Sequence, residues 1–240
     1  NKIIRYVIEV ILQIDKRARL PVYSRKSLLK LAKNNLSEVN SSAPANSRKV
    51  VLFSSCATNY NNTSIGLSAR EVLSRNGINS EVIYLGCCGM PQWELGEIPK
   101  VAERAEEISK KLCNWIDEGH DIVTLTSSCA LMLKFEWPLL LPDNQNVRRV
   151  SSKTSDISEY IVSIARNEGL AEGIKPVKGS IALHLACHAR AQNIGPKALE
   201  MLNLIPESKV QVLERCSGHG GAWGVEKDNF EVALKVGVPV

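Results

Sequence analysis

The chain has 240 residues, 44% of them hydrophobic, enough for one large domain or two small ones with ordinary buried cores. No stretch reaches the roughly 18 to 20 consecutive apolar residues of a membrane-spanning helix, and the first residues lack the pattern of a secretory signal, so an exported, disulfide-stapled protein is not expected. The net charge of +5 belongs to one end: residues 1–50 hold 11 Lys or Arg against 3 Asp or Glu, while the remainder holds 19 against 22, so a basic nucleic-acid surface on the folded part is not expected.

In chain order, Ile3 to Leu12 is an apolar helix candidate followed by the basic stretch Asp15-Lys-Arg-Ala-Arg19. Such a helix either packs on its own domain, the expectation adopted here, or lies on an anionic lipid surface. Arg25 to Lys33 predicts a second short helix. Asn35 to Ser47, rich in Ser, Asn and Ala around Pro44, reads as a linker. Beyond it strand and helix alternate. Strands are predicted at Val50–Phe53, Glu81–Leu85, Ile122–Leu125, Ser180–Leu185 and Lys209–Leu213. Helices are predicted at Ser64–Arg75, Ile98–Glu118, about Asp156–Asn167 and Pro196–Leu202. In the long helix the apolar stripe is Val101, Ala105, Ile108, Leu112, Trp115 and Ile116. Alternation of this kind implies βαβ units and a parallel sheet covered by helices.

The pattern also repeats. Val50-Val-Leu-Phe-Ser-Ser-Cys56 aligns with Ile181-Ala-Leu-His-Leu-Ala-Cys187, and Glu81-Val-Ile-Tyr-Leu-Gly-Cys87-Cys88-Gly89 aligns with Gln211-Val-Leu-Glu-Arg-Cys216-Ser217-Gly218. The intervals from Cys56 to Cys87 and from Cys187 to Cys216 are 31 and 29 residues. Two half-molecules of one design follow.

Seven cysteines, an odd number, favour reduced thiols and metal binding over a disulfide framework. Cys56, Cys87, Cys88 and Cys129 each follow a predicted strand. The carboxyl ends of parallel strands share one edge, so four thiols distant in sequence can converge there. Gly86 and Gly89 let the backbone approach a bound object closely. Four sulfurs suit a 4Fe-4S cluster or zinc. The absence of paired Cys-x-x-Cys motifs and the splay of adjacent cysteines favour the cluster. Cys113, inside the long helix, reads as a packed thiol. In the second half Cys187-His188 and Cys216-Ser-Gly-His219 form a mixed donor set for zinc or an unusually ligated cluster, beside Gly218, Gly220, Gly221 and Gly224. His120 and His184 carry no such context. No paired carboxylates, Ser-His-Asp order or complete nucleotide-binding glycine fingerprint stands out.

The array Cys56…Cys87-Cys88-Gly89…Cys129, partly repeated as Cys187…Cys216-Ser-Gly218, resembles the cysteine-rich CCG domain. That domain occurs in heterodisulfide reductase, in the glycolate oxidase iron-sulfur subunit and in anaerobic glycerol-3-phosphate dehydrogenase. The arm Asp15 to Arg25 resembles the connector that joins an upstream ferredoxin domain to the CCG repeats in the last of these. The resemblance implies an α/β fold of two Rossmann-like CCG repeats with parallel sheets, at 48–150 and 151–240, preceded by a short helical arm at 1–47. It implies a 4Fe-4S cluster on Cys56, Cys87, Cys88 and Cys129, and a non-catalytic or co-catalytic subunit that passes electrons between a flavin-containing dehydrogenase and a quinone or disulfide acceptor. The implied location is the cytoplasm, peripheral on the inner face of the cell membrane. The chain departs from the family pattern in three places. Thr126-Ser-Ser-Cys129 stands where a Cys-x-x-Cys is usual, Cys216-Ser217 replaces the second Cys-Cys pair, and the ferredoxin motif does not occur. A piece of a longer polypeptide is the expectation. The competing readings are a zinc-binding structural or interaction module without redox activity and a dithiol oxidoreductase that uses Cys87-Cys88.

Overall fold

The computed structural model describes residues 2–34 and 38–239. The arm comprises helices α1 (Lys2–Leu12) and α2 (Leu28–Asn34). The main body runs β1 (Lys49–Phe53), α3 (Cys56–Tyr60), α4 (Thr63–Arg75), β2 (Asn79–Ile83), α5 (Met90–Glu94), α6 (Ile98–Asp117), β3 (Asp121–Thr124) and α7 (Ser127–Leu131). After α7 a π-helical turn (Met132–Glu136) leads to α8 (Trp137–Leu140), α9 (Gln145–Lys153), β4 (Thr154–Asp156) and α10 (Ile157–Asn167). The remainder is β5 (Ile181–His184), α11 (Cys187–Ala191), α12 (Lys197–Leu202), β6 (Val210–Leu213) and α13 (Phe230–Gly237).

The larger sheet has the order β2-β1-β3-β4 with every pair parallel. β1 is its centre, and the reason lies in its residues: Val50, Val51, Leu52 and Phe53 are all buried, which requires a covered face on both sides. Val51, Phe53, Ile83 and Ile122 point into a core closed by α6 and α9. Val50, Leu52, Val82 and Val123 point the other way, against α4 and α10. Each such side chain contributes about 1.5 to 3 kcal/mol relative to an exposed one. The predicted stripe of α6 packs as expected, with Val101, Ala105, Ile108 and Leu112 buried and Trp115 and Ile116 against the same core. A smaller sheet pairs β5 with β6, also in parallel, with Ile181 opposite Val210 and His184 opposite Leu213. The α/β class with parallel sheets and a preceding helical arm is therefore observed.

Several local expectations need correction. The strand expected to reach Leu85 ends at Ile83, because its partner β1 ends at Phe53 and pairing stops there. Residues 151–167, expected in the second half, join the first sheet, where β4 pairs with β3 and caps α10 through the Asp156–Glu159 capping box. The segment read as a linker includes residues 35–37, which lie outside the described residues. Its remainder is largely exposed but anchored at points: Ala43 and Ala45 are buried, and Asn40 donates its N–H to Ser74 O at 2.9 Å.

The expected packing of α1 on its own domain is reversed. Ile3, Ile4, Tyr6, Val7, Val10, Ile11 and Leu12 are exposed, and the buried residue of this helix is Glu9, which accepts from the Lys16 N–H at 3.2 Å. α2 buries Leu28 and Ala32 in the core beside α4, whereas the segment from α1 to Arg17 is held by its polar side. Lys227 donates to Gln13 O at 2.7 Å, Asp15 donates to Val225 O at 2.9 Å, and Arg17 pairs with Glu231 at 2.6 Å while lying over the Phe230 ring.

Candidate metal centre

Three loops leave the carboxyl ends of β1, β2 and β3 on one rim, and each delivers thiols. After β1, Ser55 caps α3 by accepting from the Thr58 N–H at 3.1 Å, which sets Cys56 as the first helical residue. After β3, Thr126 leads into α7 and donates its hydroxyl to Ser55 Oγ at 2.8 Å, tying this loop to the loop after β1. Cys129 lies buried one turn into α7. Between them, the loop after β2 presents Cys87 and Cys88. The fully buried Trp137 donates its indole N–H to Cys88 O at 3.0 Å and so fixes the backbone of the pair.

Cys129 Sγ lies 3.3 Å from Cys88 Sγ, and the thiols of Cys56, Cys87 and Cys88 are near enough to perturb one another's ionisation in turn. Cys56 and Cys87 are half-buried, Cys88 and Cys129 buried. The hydrogen bond from Cys87, then burial, push the Cys56 thiol well above its ordinary value. Cys88 rises through its contact with Cys129. For Cys87 the Cys56 hydrogen bond acts downward, but Cys88 and burial outweigh it and the thiol is raised. A soft metal that binds here must displace protons. Among the described residues no three His, Cys, Asp or Glu side chains close on a single point as a mononuclear chelate does.

The second half repeats the local chemistry. Cys187 opens α11 three residues after β5 ends, the same offset that separates Cys56 from β1. The Gly218 N–H donates to Cys216 Sγ at 3.4 Å, as the Gly89 N–H donates to Cys87 Sγ at 3.5 Å. Both glycines have positive φ, 71° and 96°, a conformation that glycine adopts without strain. Cys187 and Cys216 are exposed.

These two sets, expected as separate sites, share one cleft of about 550 Å³, lined by Cys56, Cys87, Cys88 and Cys129 from the first half and by Cys187, His188, Cys216 and His219 from the second. Sequence reasoning missed three residues here. Glu94, from α5, reaches across to within 3.9 Å of His188 Nε2, and its carboxylate lies where a side chain on Gly221 would stand. The buried Gln192 donates to both Ser127 O and His188 O at 3.3 Å, clamping α11 to α7. Tyr84 lies 3.5 Å from Cys56 Sγ through its hydroxyl. None of the three is marked by spacing, because each acts across a contact between elements; the adjacent glycines at 220 and 221 are the sole hint of Glu94. His184, set aside above, also lines the cleft and sits 2.7 Å from Arg215 O. Cys113 is buried in the main core beside Asn146, and His120 lies against Trp115 O.

Comparison with known proteins agrees with the motif. Residues 50–134 match the family model described as the cysteine-rich domain, CCG. The whole chain is 25% identical over 244 aligned positions to one subunit, designated C, of anaerobic glycerol-3-phosphate dehydrogenase from Escherichia coli strain K12, spanning 59% of that protein's length. It is 27% identical over 188 positions to lactate utilization protein A of Bacillus cytotoxicus, and likewise to that of Bacillus cereus strain G9842, with 74% of this chain and 75% of each relative aligned. The thiol-bearing rim of the first sheet thus lies within the segment that is similar to the cysteine-rich CCG domain.

Proposed function

We propose that the protein is an iron-sulfur electron-transfer subunit of an oxidoreductase complex. In this reading Cys56, Cys87, Cys88 and Cys129 hold a 4Fe-4S cluster, and Cys187, Cys216, His188 and His219 form a second metal set. The observation that carries it is the delivery of four thiols from three adjacent parallel strands to one rim of one cleft. The donor set fits such a group: four soft sulfur ligands, two of them buried, with glycines at 86 and 89 that leave the loop free of side-chain bulk. When bound, the cluster supplies one-electron redox chemistry. The chain's own residues orient the sulfurs through the Trp137 and Thr126 hydrogen bonds and exclude water behind Cys88 and Cys129.

The names of the relatives support a dehydrogenase partner, for which a flavin-containing subunit is proposed as electron donor and a quinone or disulfide as acceptor. The exposed apolar face of α1, beside a basic arm, supports attachment to the inner surface of the cell membrane. Among the described residues no helix is long and apolar enough to cross a membrane.

The test is the metal and sulfide content of protein purified without oxygen. Iron and sulfide together with visible absorption near about 400 nm that bleaches on reduction are expected. Cys88→Ser is expected to lose most of that iron and absorption, whereas Cys113→Ser keeps both. A colourless protein with stoichiometric zinc would instead establish the interaction-module reading.

A further inference from the structure

Tyr84 follows directly on β2, and its hydroxyl lies 3.5 Å from Cys56 Sγ. The ring is held by the edge of Tyr60, with centroids 5.3 Å apart and planes at 81°, so the hydroxyl is aimed by packing from α3, the helix that also carries Cys56. In the free thiol either group can donate. Once the sulfur is a metal-bound thiolate it has no proton, and the phenol O–H is the remaining donor of the pair.

We propose that Tyr84 donates a hydrogen bond to the Cys56 sulfur of the bound cluster and thereby raises its reduction potential. The inference rests on the iron-sulfur reading above. The physical reason is charge. Reduction adds an electron that spreads onto the ligating sulfurs, so a donor aimed at one of them stabilises the reduced state more than the oxidised state. The device is particular to the first half: in the aligned repeat, Glu214 stands where Tyr84 does, and an ionised carboxylate has no proton to donate. Tyr84 is a positioning and tuning residue, and a potential is the quantity that separates this role from a merely structural one.

The experiment is a potentiometric titration of the full-length protein, purified anaerobically, followed by its visible absorption. Tyr84→Phe keeps the ring and its packing on Tyr60 but removes the donor. The expected result is full iron content with the reduction equilibrium shifted about tenfold toward the oxidised form, a fall of about 59 mV for one electron. A full complement of iron with an unchanged potential overturns the proposal. Iron-free wild-type protein overturns the cluster reading itself, a different failure read from a different sample. If Tyr84→Phe fails to load, 3-fluorotyrosine at position 84 decides: its more acidic phenol is a stronger donor, so an upward shift supports the role and no shift overturns it.

Discussion

At the scale of single residues, Gly218 shows what the cysteine motifs require of the backbone. Its φ of 71° lies in the left-handed region, and a side chain there would meet Ala233 O of α13 at 2.1 Å. Gly119 has a similar φ of 85° but nothing within 4 Å of its missing side chain. Both replacements by alanine carry the strain of the left-handed conformation, about 1 to 2 kcal/mol. Only Gly218→Ala adds a collision with backbone that has no flexible end to move. Urea denaturation is therefore expected to show the larger loss of stability for Gly218→Ala, and equal losses would mean that α13 does not press on the motif. The glycines and cysteines were legible in the sequence because few other residues can do their work. Glu94, Tyr84 and Gln192 were not, since glutamate, tyrosine and glutamine have many uses and only a partner across space reveals which one applies.

At the scale of elements, periodicity found the long pieces and missed the short ones. α6 was readable because a 20-residue helix repeats its stripe several times. α3, α5 and α7 have five residues each, too few to show a period, yet α3 and α7 are the helices that place Cys56 and Cys129. The hydrophobic pattern of α1 was also legible, but its direction was not: an amphipathic stripe does not say whether protein or something else covers it. The structure turns Glu9 inward and leaves Ile4 and Ile11 outside. If this face lies on lipid, Ile4→Glu with Ile11→Glu removes two apolar anchors and adds repulsion from an anionic surface. Co-sedimentation with vesicles containing phosphatidylserine is expected to fall at least tenfold in the double variant. Equal sedimentation of both proteins would remove the membrane from the reading.

At the scale of the molecule, the two halves differ in how completely they are built. The first has four strands and two packed cores, while the second has a two-stranded sheet with half-buried residues and depends on contacts such as Gln192 with α7 and Arg166 of α10 with Glu200 of α12. Their thiols nevertheless meet across a single cleft. The sets are proposed to bind independently, because Cys88 and Cys129 are buried with their sulfurs 3.3 Å apart whereas Cys187 and Cys216 are exposed. The double variant Cys187→Ser with Cys216→Ser is expected to lose part of the bound metal and keep the visible spectrum of the first set. Loss of the whole spectrum would mean that one group spans both sets.

The sequence by itself determined the alternation of strand and helix and the parallel pairing that follows from it, since these are written in local pattern. Tertiary structure alone decided that both cysteine sets open on one cleft, that residues 151–167 complete the first sheet, and that the apolar face of α1 stays uncovered. The physical reason is that these depend on which surfaces of distant segments find each other, and burial is a property of the assembled packing that no single segment carries.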